Sequence, residues 1–494
     1  MVFKYRPIFN WNFFRRNLRR AKIFPILLAS LGVVWIVVQQ MRLWNLSSLK
    51  SMTETFGDEL RREMERLIIV NESDDTWRNL GVNDWRGFSA YLETRPEVVL
   101  EEDDSLIYAG STWGFIRIIS IVPVSAASTQ LACSFRYHST ANHTTILKKP
   151  SIRTELVAFG ENFGMYYSAA YILCPLPYPN EALPPGAQLP VGLTVSINRD
   201  RSTDSPDPTD FITIRYPKPQ ATNEKSFAVC VQPFHHHFDK VDDLIAFIEY
   251  YRMMGVNRFT FYRDSVTSGV DRVLDYYSRL NVAVVLHWKL QDLYDFERNL
   301  RVDGIYAALN DCLYRSVFYD GYRYVLGVDV DEYIVPRRHD NFTEMMEHLN
   351  PEGAGITGAW IFRNVFYYLM YDDDLVTLSP GTPRMNFHSK TRRWERTNPP
   401  HDRSKFIVQG RDVVELGNHR IWKLKRTWSL FTRFKETAVD PDVGTSNHYR
   451  FCETEIDTCW HRKSIIDRTA HRFTHKLGLR VKNIYRTIFP GNYR

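Results

Sequence analysis

The pattern that most restricts the fold of this chain is an alternation of short apolar runs and amphipathic segments between residues 227 and 328. The apolar runs predict strands at residues 227–232, 258–262, 282–287 and 324–328. The amphipathic segments predict helices at residues 240–254, 270–280 and 301–318, the first capped by Asp239 and ended by Gly255. Repeated strand–helix–strand units favour an α/β, Rossmann-like domain with a mostly parallel sheet. In such sheets, ligands bind beyond the carboxyl ends of the strands.

The last of these predicted strands runs directly into Asp329, Asp331 and Glu332. In an extended chain, residues two apart point the same way, so Asp329 and Asp331 can aim at one point. Adjacent like charges are unfavourable unless a cation neutralises them, and carboxylate oxygens suit Mg²⁺ or Mn²⁺. We therefore predict a divalent-cation site that binds the diphosphate of a nucleotide-sugar. The alternative is a solvated acidic turn after a strand.

Residues 91–222 have a different character and predict a β-sandwich-like domain. Gly, Pro, Asn and Ser clusters separate short apolar or alternating runs at residues 114–122, 132–137, 154–159, 166–173, 191–197 and 211–216. Cys133 and Cys174 lie in two of these predicted strands and could form a bridge. Residues 42–90, which are polar, are interpreted as a stem or as a short lead-in to this domain.

The N-terminus carries a candidate membrane anchor. Residues 1–22 contain seven Lys and Arg residues and no Asp or Glu, and the next 19 residues, 23–41, are uncharged. As a helix this run extends about 28 Å, close to the thickness of a bilayer core. The positive-inside rule predicts a type II signal anchor, with the basic tail in the cytosol and the remaining chain in the lumen of the Golgi or another secretory-pathway membrane. A cleaved signal peptide and a buried core helix are the alternatives.

The composition is that of a globular protein, with 44% hydrophobic and 24% charged residues among 494, which excludes wholesale disorder and fibrous structure. The seven basic residues of the tail exceed the net charge of +6, so a general nucleic-acid-binding surface is not indicated. A second basic stretch, residues 461–494, is interpreted as a solvated helix or a packing arm.

Six cysteines allow three disulfides in an oxidising lumen, with 15 pairings open. Cys452 and Cys459 enclose a short loop and favour a local disulfide. Glycosylation sequons occur at Asn45, Asn71, Asn142 and Asn341, and we expect the last three to be usable, because Asn45 lies close to the predicted membrane segment.

Several ordered motifs make the catalytic region, residues 225–460, resemble glycosyltransferase family 92, formerly a domain of unknown function expanded in nematodes. These motifs are VCVQPF at 229–234, EYYRMMGV at 249–256, FTFY at 259–262, NDCLYR at 310–315, DVDEYIVP at 329–336, SKFIV at 404–408, NH at 418–419 and HYR at 448–450. The resemblance implies a GT-A fold, a UDP-sugar donor, a divalent cation (Mn²⁺ or Mg²⁺) and inversion at the anomeric carbon. It also implies a hexosyltransferase that moves galactose from UDP-galactose to a glycan of a glycoprotein or glycolipid, as in β-galactosyltransferases of the family.

The resemblance and the chemistry of the side chains suggest roles for single residues. Asp329, Asp331 and His448 are the candidate metal ligands, the histidine because many GT-A enzymes use one from the C-terminal part. Candidate substrate-binding residues share a polar side chain near a predicted strand end or motif, and they are Asp264, Asp311, Glu332, Lys405 and Arg450. For Asp264 and Asp311, contact with uridine or ribose competes with helix capping or a structural hydrogen bond. For His448, Lys405 and Arg450 the alternatives are a core histidine and ordinary surface charges.

An inverting transferase needs a general base beside the acceptor hydroxyl. Asp402, Glu415, His419 and also Glu395 lie downstream of the acidic motif and are the candidates, and residues 384–404 are a candidate lid. Three consecutive histidines, 235–237, favour a polar loop over a metal site, because neighbouring side chains cannot converge on one ion without strain.

Two other functions remain open from the sequence. One is a non-catalytic, membrane-anchored carbohydrate-binding protein on a degenerate transferase fold. The other is a metal-dependent phosphoryl-transfer or hydrolytic enzyme, which is disfavoured because the sequence contains no Walker-type loop, kinase motif set or second acid cluster.

Overall fold

The structure, a computed structural model, describes Gln40 and residues 57–70, 76–80, 85–102, 113–129, 131–138, 144–147, 155–158, 161–176, 189–197, 211–218, 226–290, 299–300, 304–351, 355–374, 385–427, 432–452 and 459–491. Within these ranges no helix is long and apolar enough to cross a membrane. The predicted basic tail, and the predicted span apart from Gln40, lie outside the described residues.

Nine strands in the N-terminal half form one hydrogen-bonded sheet. They are β1 Arg78–Asn79, β2 Arg86–Glu93, β3 Phe115–Pro123, β4 Leu131–His138, β5 Thr144–Leu147, β6 Glu155–Ala158, β7 Tyr167–Pro175, β8 Pro190–Ile197 and β9 Ile212–Arg215. Their order is β5-β4-β8-β9-β2-β3-β7-β6, with β1 beside β2. Helices α1 Gly57–Val70 and α2 Pro96–Glu102 flank the first strands. The sheet thus begins within the predicted stem, because the boundary at residues 90 and 91 falls inside β2.

The predicted sandwich is instead a single curled sheet. Strands β8 and β9 pair with each other, which joins two sets of strands that would otherwise form separate layers. Cys133 in β4 and Cys174 in β7 form a disulfide with a Cα–Cα distance of 5.9 Å, although four strands separate β4 from β7 along the sheet. The sheet must therefore fold back on itself to bring these strands together.

Strand β3 shows why this region has such long apolar runs. All nine of its residues are buried. Ile116, Ile118 and Val122 face a core inside the curled sheet, whereas Ile119 and Ile121 belong to a second core shared with the α/β part of the chain. Because both faces of the strand are covered, the usual alternation of apolar and polar residues is lost.

Seven strands after residue 226 form a second, mixed sheet. They are β10 Phe227–Cys230, β11 Val256–Arg263, β12 Ala283–His287, β13 Tyr324–Gly327, β15 Thr357–Phe362, β18 Lys405–Gln409 and β21 Lys435–Ala438, and their order is β12-β11-β10-β13-β18-β15-β21. The first four are parallel. Strand β18 is antiparallel to both its neighbours, and β15 and β21 are parallel. The predicted α/β domain with a mostly parallel sheet is confirmed.

The helices around this sheet match the predicted segments closely. They are α3 Val241–Met253, α4 Ser268–Arg279 and α5 Ile305–Tyr314, which continues as a π-helical turn Arg315–Tyr319. The residue that caps α3 is Lys240, with no side-chain capping bond, rather than the predicted Asp239. Gly255 follows α3 with a φ of 100°, a conformation that glycine adopts without strain.

The remaining elements complete the C-terminal half. The strands are β14 Glu332–Pro336, β16 Asn364–Tyr368, β17 Arg392–Trp394, β19 Val413–Leu416, β20 Ile421–Leu424, β22 Gly444–Arg450 and β23 Ser464–Ile466, and the helices are α6 Phe342–Leu349, α7 Asn386–Ser389 and α8 Thr474–Ile488. Strands β14, β22 and β16 form a small sheet, while β17 pairs with β23 and β19 with β20.

The C-terminal basic stretch packs against the domain, as the packing-arm interpretation proposed. In α8, Leu477, Val481 and Ile488 are buried in the same apolar core as α3. Arg480 Nε donates to Glu249 Oε2 on α3 at 2.6 Å. Two further disulfides are present, Cys230–Cys312 and the predicted local bridge Cys452–Cys459.

Candidate active site

The three acids lie where the chain passes from the seven-stranded sheet to the small sheet of β14, β22 and β16. Val328 still donates its N–H to the carbonyl of Cys230 at 3.2 Å, and the N–H of Glu332 then donates to the carbonyl of Asp329 at 3.0 Å. This turn sends the chain from β13 into β14, which starts at Glu332. The acids are therefore at the carboxyl edge of the parallel strands, where α/β proteins bind ligands.

A buried lysine binds two of these acids. Lys405 Nζ lies 3.0 Å from Asp329 Oδ2, 3.0 Å from Glu332 Oε2 and 2.9 Å from Asn418 Oδ1, and its side chain is only 1% exposed. Lys405 is the first residue of β18, which runs antiparallel to β13, so it lies at the edge where β13 ends. Burial opposes the charge of Lys405, but Asp329 and Glu332 raise its pKa. The three donor positions of this ammonium group are occupied, so the predicted role in substrate binding is not what this geometry favours.

His448 joins the cluster from the small sheet, where it pairs in register with Glu332. Its Nδ1 lies 3.1 Å from Glu332 Oε1, and its Nε2 lies 3.5 Å from Asp331 Oδ2. The amide nitrogen of the buried Asn364 is 3.3 Å from the same Nδ1. Nδ1 is thus next to a carboxylate and an amide, and Nε2 faces Asp331. A carboxylate behind a histidine is the usual support of a metal-bound imidazole.

The pKa values in this cluster reflect burial and close charges. Burial raises the pKa of Glu332 to about 7, although Lys405 opposes the shift. Burial would also raise the pKa of Asp331, but His448, Lys240 and Lys405 hold it below its usual value. Burial would lower the pKa of His448, but Glu332 and Asp331 raise it. The cluster therefore contains more acid than its two cations fully neutralise.

Asp331 and His448 fit a divalent cation that completes its ligands from a substrate. The side chain of Asp331 is 38% exposed and faces Nε2 of His448. Asp329, the other predicted ligand, is bonded to Lys405 instead. Within the ranges that the structure describes, no group of three or more His, Cys, Asp or Glu side chains is arranged to hold a metal ion. Mg²⁺ is commonly bound through one or two carboxylates together with substrate phosphates and water.

A cavity of about 220 Å³ opens beside Asp331. Its walls come from the loop after β10, from the start of α3 and from the acidic loop, and it is lined by Gln232, Pro233, Phe234, His235, Phe238, Lys240, Asp243, Val330 and Asp331. Phe234 and Phe238 stack at a centroid distance of 4.4 Å and form its apolar wall. A mostly apolar cleft with a few converging charges is typical of a small-molecule site.

Asp243 is a candidate that the sequence analysis missed. It lies half-buried in the first turn of α3, and Asn386 Nδ2 is 3.4 Å from its Oδ1. Burial raises its pKa, and the nearby charge of Asp331 acts in the same direction, whereas Lys240 opposes it. The available signal was the Asp242-Asp243 pair at the start of the first helix after the first parallel strand, because that turn must lie at the ligand-binding edge.

The histidine triplet does not converge on one point. His235 lines the cavity, while His236 and His237 are exposed and both have a φ of 53°. His237 contacts Ser265, whose Oγ is 3.1 Å from His237 Nδ1. This arrangement agrees with the polar-loop interpretation.

Asp311 lies away from the cavity, at the contact between the two halves of the chain. It is fully buried, and its oxygens accept hydrogen bonds from Ser89 Oγ at 2.5 Å, Tyr91 OH at 2.6 Å, Tyr262 OH at 2.6 Å and Arg315 Nε at 3.0 Å. Burial would raise its pKa, but Arg315 and Arg215 lower it. Of the two predicted roles, the geometry favours the structural hydrogen bonds over nucleotide contact.

Asp264 and Arg450 lie nearer the active edge. Asp264 follows β11 and its Oδ1 accepts from the N–H of Leu290 at 2.9 Å, so it fixes the loop after β12. Arg450 is two residues beyond His448 on β22, and its Nε donates to the carbonyl of Phe451 at 3.1 Å. Neither residue lines the cavity.

Two candidate bases are unsuitable in this geometry. His419 has Asn418 Nδ2 3.2 Å from its Nε2 and the carbonyl of Ser404 3.3 Å from its Nδ1. Burial and the charge of Lys405 lower its pKa to about 3, so it binds a proton only weakly near neutral pH. Glu415 is buried in the β19–β20 hairpin, which packs against α5.

Asp402 and Glu395 are both exposed. The N–H of Asp402 closes a turn onto Pro399 at 3.2 Å, just before Lys405 and therefore at the active edge. Glu395 forms a surface ion pair with Lys463 at 2.7 Å. Asp402 is thus the sequence-predicted carboxylate that remains accessible near the acid cluster.

The predicted lid is a packed segment over much of its described part, residues 385–404. It contains α7 and β17. Phe387 is buried, with ring centroids 4.8 Å from Tyr250 and 4.7 Å from Tyr333. These contacts attach the start of the segment to the core, which an open lid would lack.

Of the predicted glycosylation sites, Asn341 is within the described residues and Asn71 and Asn142 lie outside them. Asn341 caps α6, because its Oδ1 accepts from the N–H of Glu344 at 3.0 Å. Its Nδ2 donates to Glu344 Oε1 at 2.7 Å. The nitrogen that a glycan would modify is therefore engaged in this capping box.

Comparison with known proteins gives one family match. A model described as "Glycosyltransferase family 92" matches residues 225–478, which include the acid cluster and the cavity. No curated protein matches this sequence.

Solved structures show weaker similarity. Residues 1–349 of TarS from S. aureus are 11% identical, with 54% of this chain and 73% of that chain covered and a TM-score of 0.24. The same protein in complex with UDP-GlcNAc is 10% identical, with coverages of 47% and 61% and a TM-score of 0.24. A galactosyltransferase, LgtC, in complex with donor and acceptor sugar analogues is 10% identical, with coverages of 51% and 95% and a TM-score of 0.23. Such values support no conclusion about function.

Proposed function

Because this chain belongs to glycosyltransferase family 92, we propose that it transfers a hexose from a UDP-sugar to a hydroxyl group of a glycan. The observation that carries this proposal is the cavity at the carboxyl edge of the sheet, which is lined by Asp331. His448 contacts Asp331, and Lys405 contacts the adjacent Glu332. The cavity offers room for part of a nucleotide-sugar, and Asp331 with His448 suits a diphosphate-bound cation.

The proposed sugar and stereochemistry are those that the resemblance to the family suggests. The donor is UDP-galactose, the acceptor is a glycan on a glycoprotein or glycolipid, and the β-linkage forms with inversion on a GT-A fold. The acceptor oxygen bonds to the anomeric carbon while the bond from that carbon to the β-phosphate oxygen breaks. The bonding electrons leave with UDP, and the acceptor proton passes to a base.

Each residue of the cluster has a proposed task. Asp331 and His448 would hold the cation, and the carboxylate of Glu332 beside Nδ1 supports the imidazole of His448. Lys405 fixes Glu332 and Asp329 through its contacts of 3.0 Å. Mn²⁺ or Mg²⁺ bound here supplies Lewis-acid stabilisation of the departing diphosphate. Asp402, which is exposed at this edge, and Asp243, which lines the cavity, are the carboxylates that could take the acceptor proton.

We also propose a luminal location, with residues 23–41 as a type II anchor and residues 1–22 in the cytosol. The uncharged run after seven basic residues supports it. The three disulfides among the described residues support it as well, because such bonds form in oxidising compartments.

A donor screen tests the proposal. The full-length chain in detergent is incubated with Mn²⁺, an N-glycan acceptor mixture and each UDP-sugar in turn, and released UDP is measured. We expect UDP-galactose to give the largest acceptor-dependent signal. A preference for another donor would refute the galactose assignment alone, whereas binding of glycans without turnover of any donor would favour the non-catalytic carbohydrate-binding alternative.

The role of Asp331 is tested by Asp331→Asn. We expect turnover to fall by about a hundred- to thousandfold, because charge stabilisation at the diphosphate is lost. Chelation by EDTA should have a comparable effect that Mn²⁺ reverses. Asp442→Asn is the matched control, since Asp442 is 77% exposed and its nearest cation, Arg338, is 3.6 Å away. Activity of Asp331→Asn close to that of the control would contradict the assignment.

A further inference from the structure

The diphosphate of a nucleotide-sugar needs positive charge, and the buried lysine does not supply it. Lys405 is 1% exposed, and its ammonium group already contacts Asp329, Glu332 and Asn418. When the sugar leaves, the negative charge on the nucleoside diphosphate increases, so an unneutralised site would oppose the reaction. A cationic side chain at the cavity, in addition to a bound divalent ion, would therefore favour the reaction.

Lys240 meets this requirement by position. It caps α3 and lines the cavity together with Asp243 and Asp331. It is exposed, and within the described part of the chain it forms no ion pair. Its charge reaches both neighbouring acids, because it contributes to lowering the pKa of Asp331 and opposes the rise at Asp243. Among the side chains that line the cavity it is the one permanent cation.

The other cations near this edge are placed differently. Arg450 lies two residues beyond His448 on β22, and it does not line the cavity. Its Nε donates a hydrogen bond to the carbonyl of Phe451. A diphosphate bound in the cavity beside Asp331 would therefore contact Lys240 rather than Arg450.

We propose that Lys240 binds the diphosphate of the nucleotide-sugar donor and remains bound to it as the nucleoside diphosphate leaves. The inference rests on the proposed transferase function and adds to it a substrate-binding residue that lies outside the acid cluster. A lysine suits this role, because its flexible stem lets a point charge follow the phosphate as the bond to the sugar breaks.

The test compares Lys240→Met with the native full-length chain. We expect the Kd of UDP, measured by calorimetry, to rise about ten- to hundredfold, which corresponds to the loss of one charge-assisted hydrogen bond. Binding of uridine, measured by saturation-transfer NMR, should be unchanged because uridine has no phosphate. The KM for the UDP-sugar should rise in parallel with the Kd of UDP, and Lys240→Arg should restore most of the affinity.

Lys435→Met is the matched control, since Lys435 is an exposed lysine at the amino end of β21, on the opposite edge of the same sheet. UDP affinity in Lys240→Met within twofold of this control would overturn the proposal. An equal loss of UDP and uridine binding would also overturn it, because the residue would then only shape the cavity. If the native chain binds no uridine nucleotide at all, the transferase function itself fails, and that result is separate from the other two.

Discussion

Two buried carboxylates, Asp311 and Glu332, show how one chain gives the same functional group opposite properties. Both are fully buried in the α/β half. Asp311 accepts bonds from two hydroxyl-bearing residues of β2, from Tyr262 and from Arg315, and its pKa is lowered. Glu332 shares Lys405 with a second acid, and its pKa is raised to about 7.

The difference lies in the neighbours of each carboxylate. Every side chain that contacts Asp311 donates a hydrogen bond to it, so its charge is fully neutralised. These bonds also join the curled sheet to the α/β half. Around Glu332 the neighbours include Asp329 and Asp331, so the charge is only partly neutralised. A saturated buried acid stabilises a fold, whereas an unsaturated acid cluster can accept a cationic ligand.

The largest expected effect is at Asp311. Asp311→Asn should lower the free energy of unfolding by about 3–5 kcal/mol, because Arg315 would be left as an uncompensated buried charge. Urea unfolding at pH 7 measures it, with Asp442→Asn as an exposed control. A loss below 1 kcal/mol would show that the two carboxylates do not differ in the way described.

The next effect is a pH dependence that comes from Glu332. Because burial raises the pKa of Glu332 in the folded chain from its usual value of 4.5 to about 7, its contribution to stability is present below pH 4.5 and is lost as the pH rises through 7. In Glu332→Gln this loss should be absent, so the variant should gain up to about 3 kcal/mol relative to the native chain between pH 4.5 and 7. Chemical unfolding across this pH range measures the difference.

The pH dependence of stability has the opposite sign for Asp311. Because its pKa is lowered, Asp311 contributes stability above about pH 4, and this contribution is lost on acidification. If the stability difference between the native chain and Glu332→Gln is independent of pH, the raised pKa of Glu332 is refuted. The same variant should lose turnover while remaining folded at pH 7, because His448 would lose its carboxylate partner.

The smallest effect is expected for Tyr262→Phe, which removes one of the donors to Asp311. The remaining donors keep the charge neutralised, so we expect a loss of about 1.5 kcal/mol, the lower end for a bond to a charged group. Tyr276→Phe, on the partly buried face of α4, should change stability by less than about 0.5 kcal/mol. A loss as large as that of Asp311→Asn would indicate that Tyr262 supports more than this one hydrogen bond.

Much of the α/β fold could be predicted because its strands and helices each have a characteristic local spacing of apolar residues. Each predicted strand from residue 227 to residue 328 lies within two residues of an observed one, since buried parallel strands and amphipathic helices differ clearly in pattern. The curled sheet could not be predicted in the same way. Its closure depends on the pairing of β8 with β9, and such non-local pairings leave no periodic signal.

The same difference between local and non-local information applies to the candidate site. Asp329, Asp331 and Glu332 are adjacent in sequence, so their clustering was predictable. The partner of each acid was not, because Lys405 reaches Asp329 only through the antiparallel insertion of β18, and His448 reaches Glu332 only through the register of β14 with β22. Asp311 lies within a motif that the sequence shows, yet its contacts with Ser89 and Tyr91 depend on packing against a distant part of the chain.

The apolar core that β3 shares with α5 has a practical consequence for anyone who wishes to produce the enzyme in pieces. Leu309 and Leu313 of α5 lie in the same core as Phe115 and Ile119 of β3. A recombinant fragment trimmed to the family-matched residues 225–478 would present these leucines to water and invite aggregation. The curled sheet therefore completes part of the apolar core of the catalytic unit, and a soluble, active preparation has to include it.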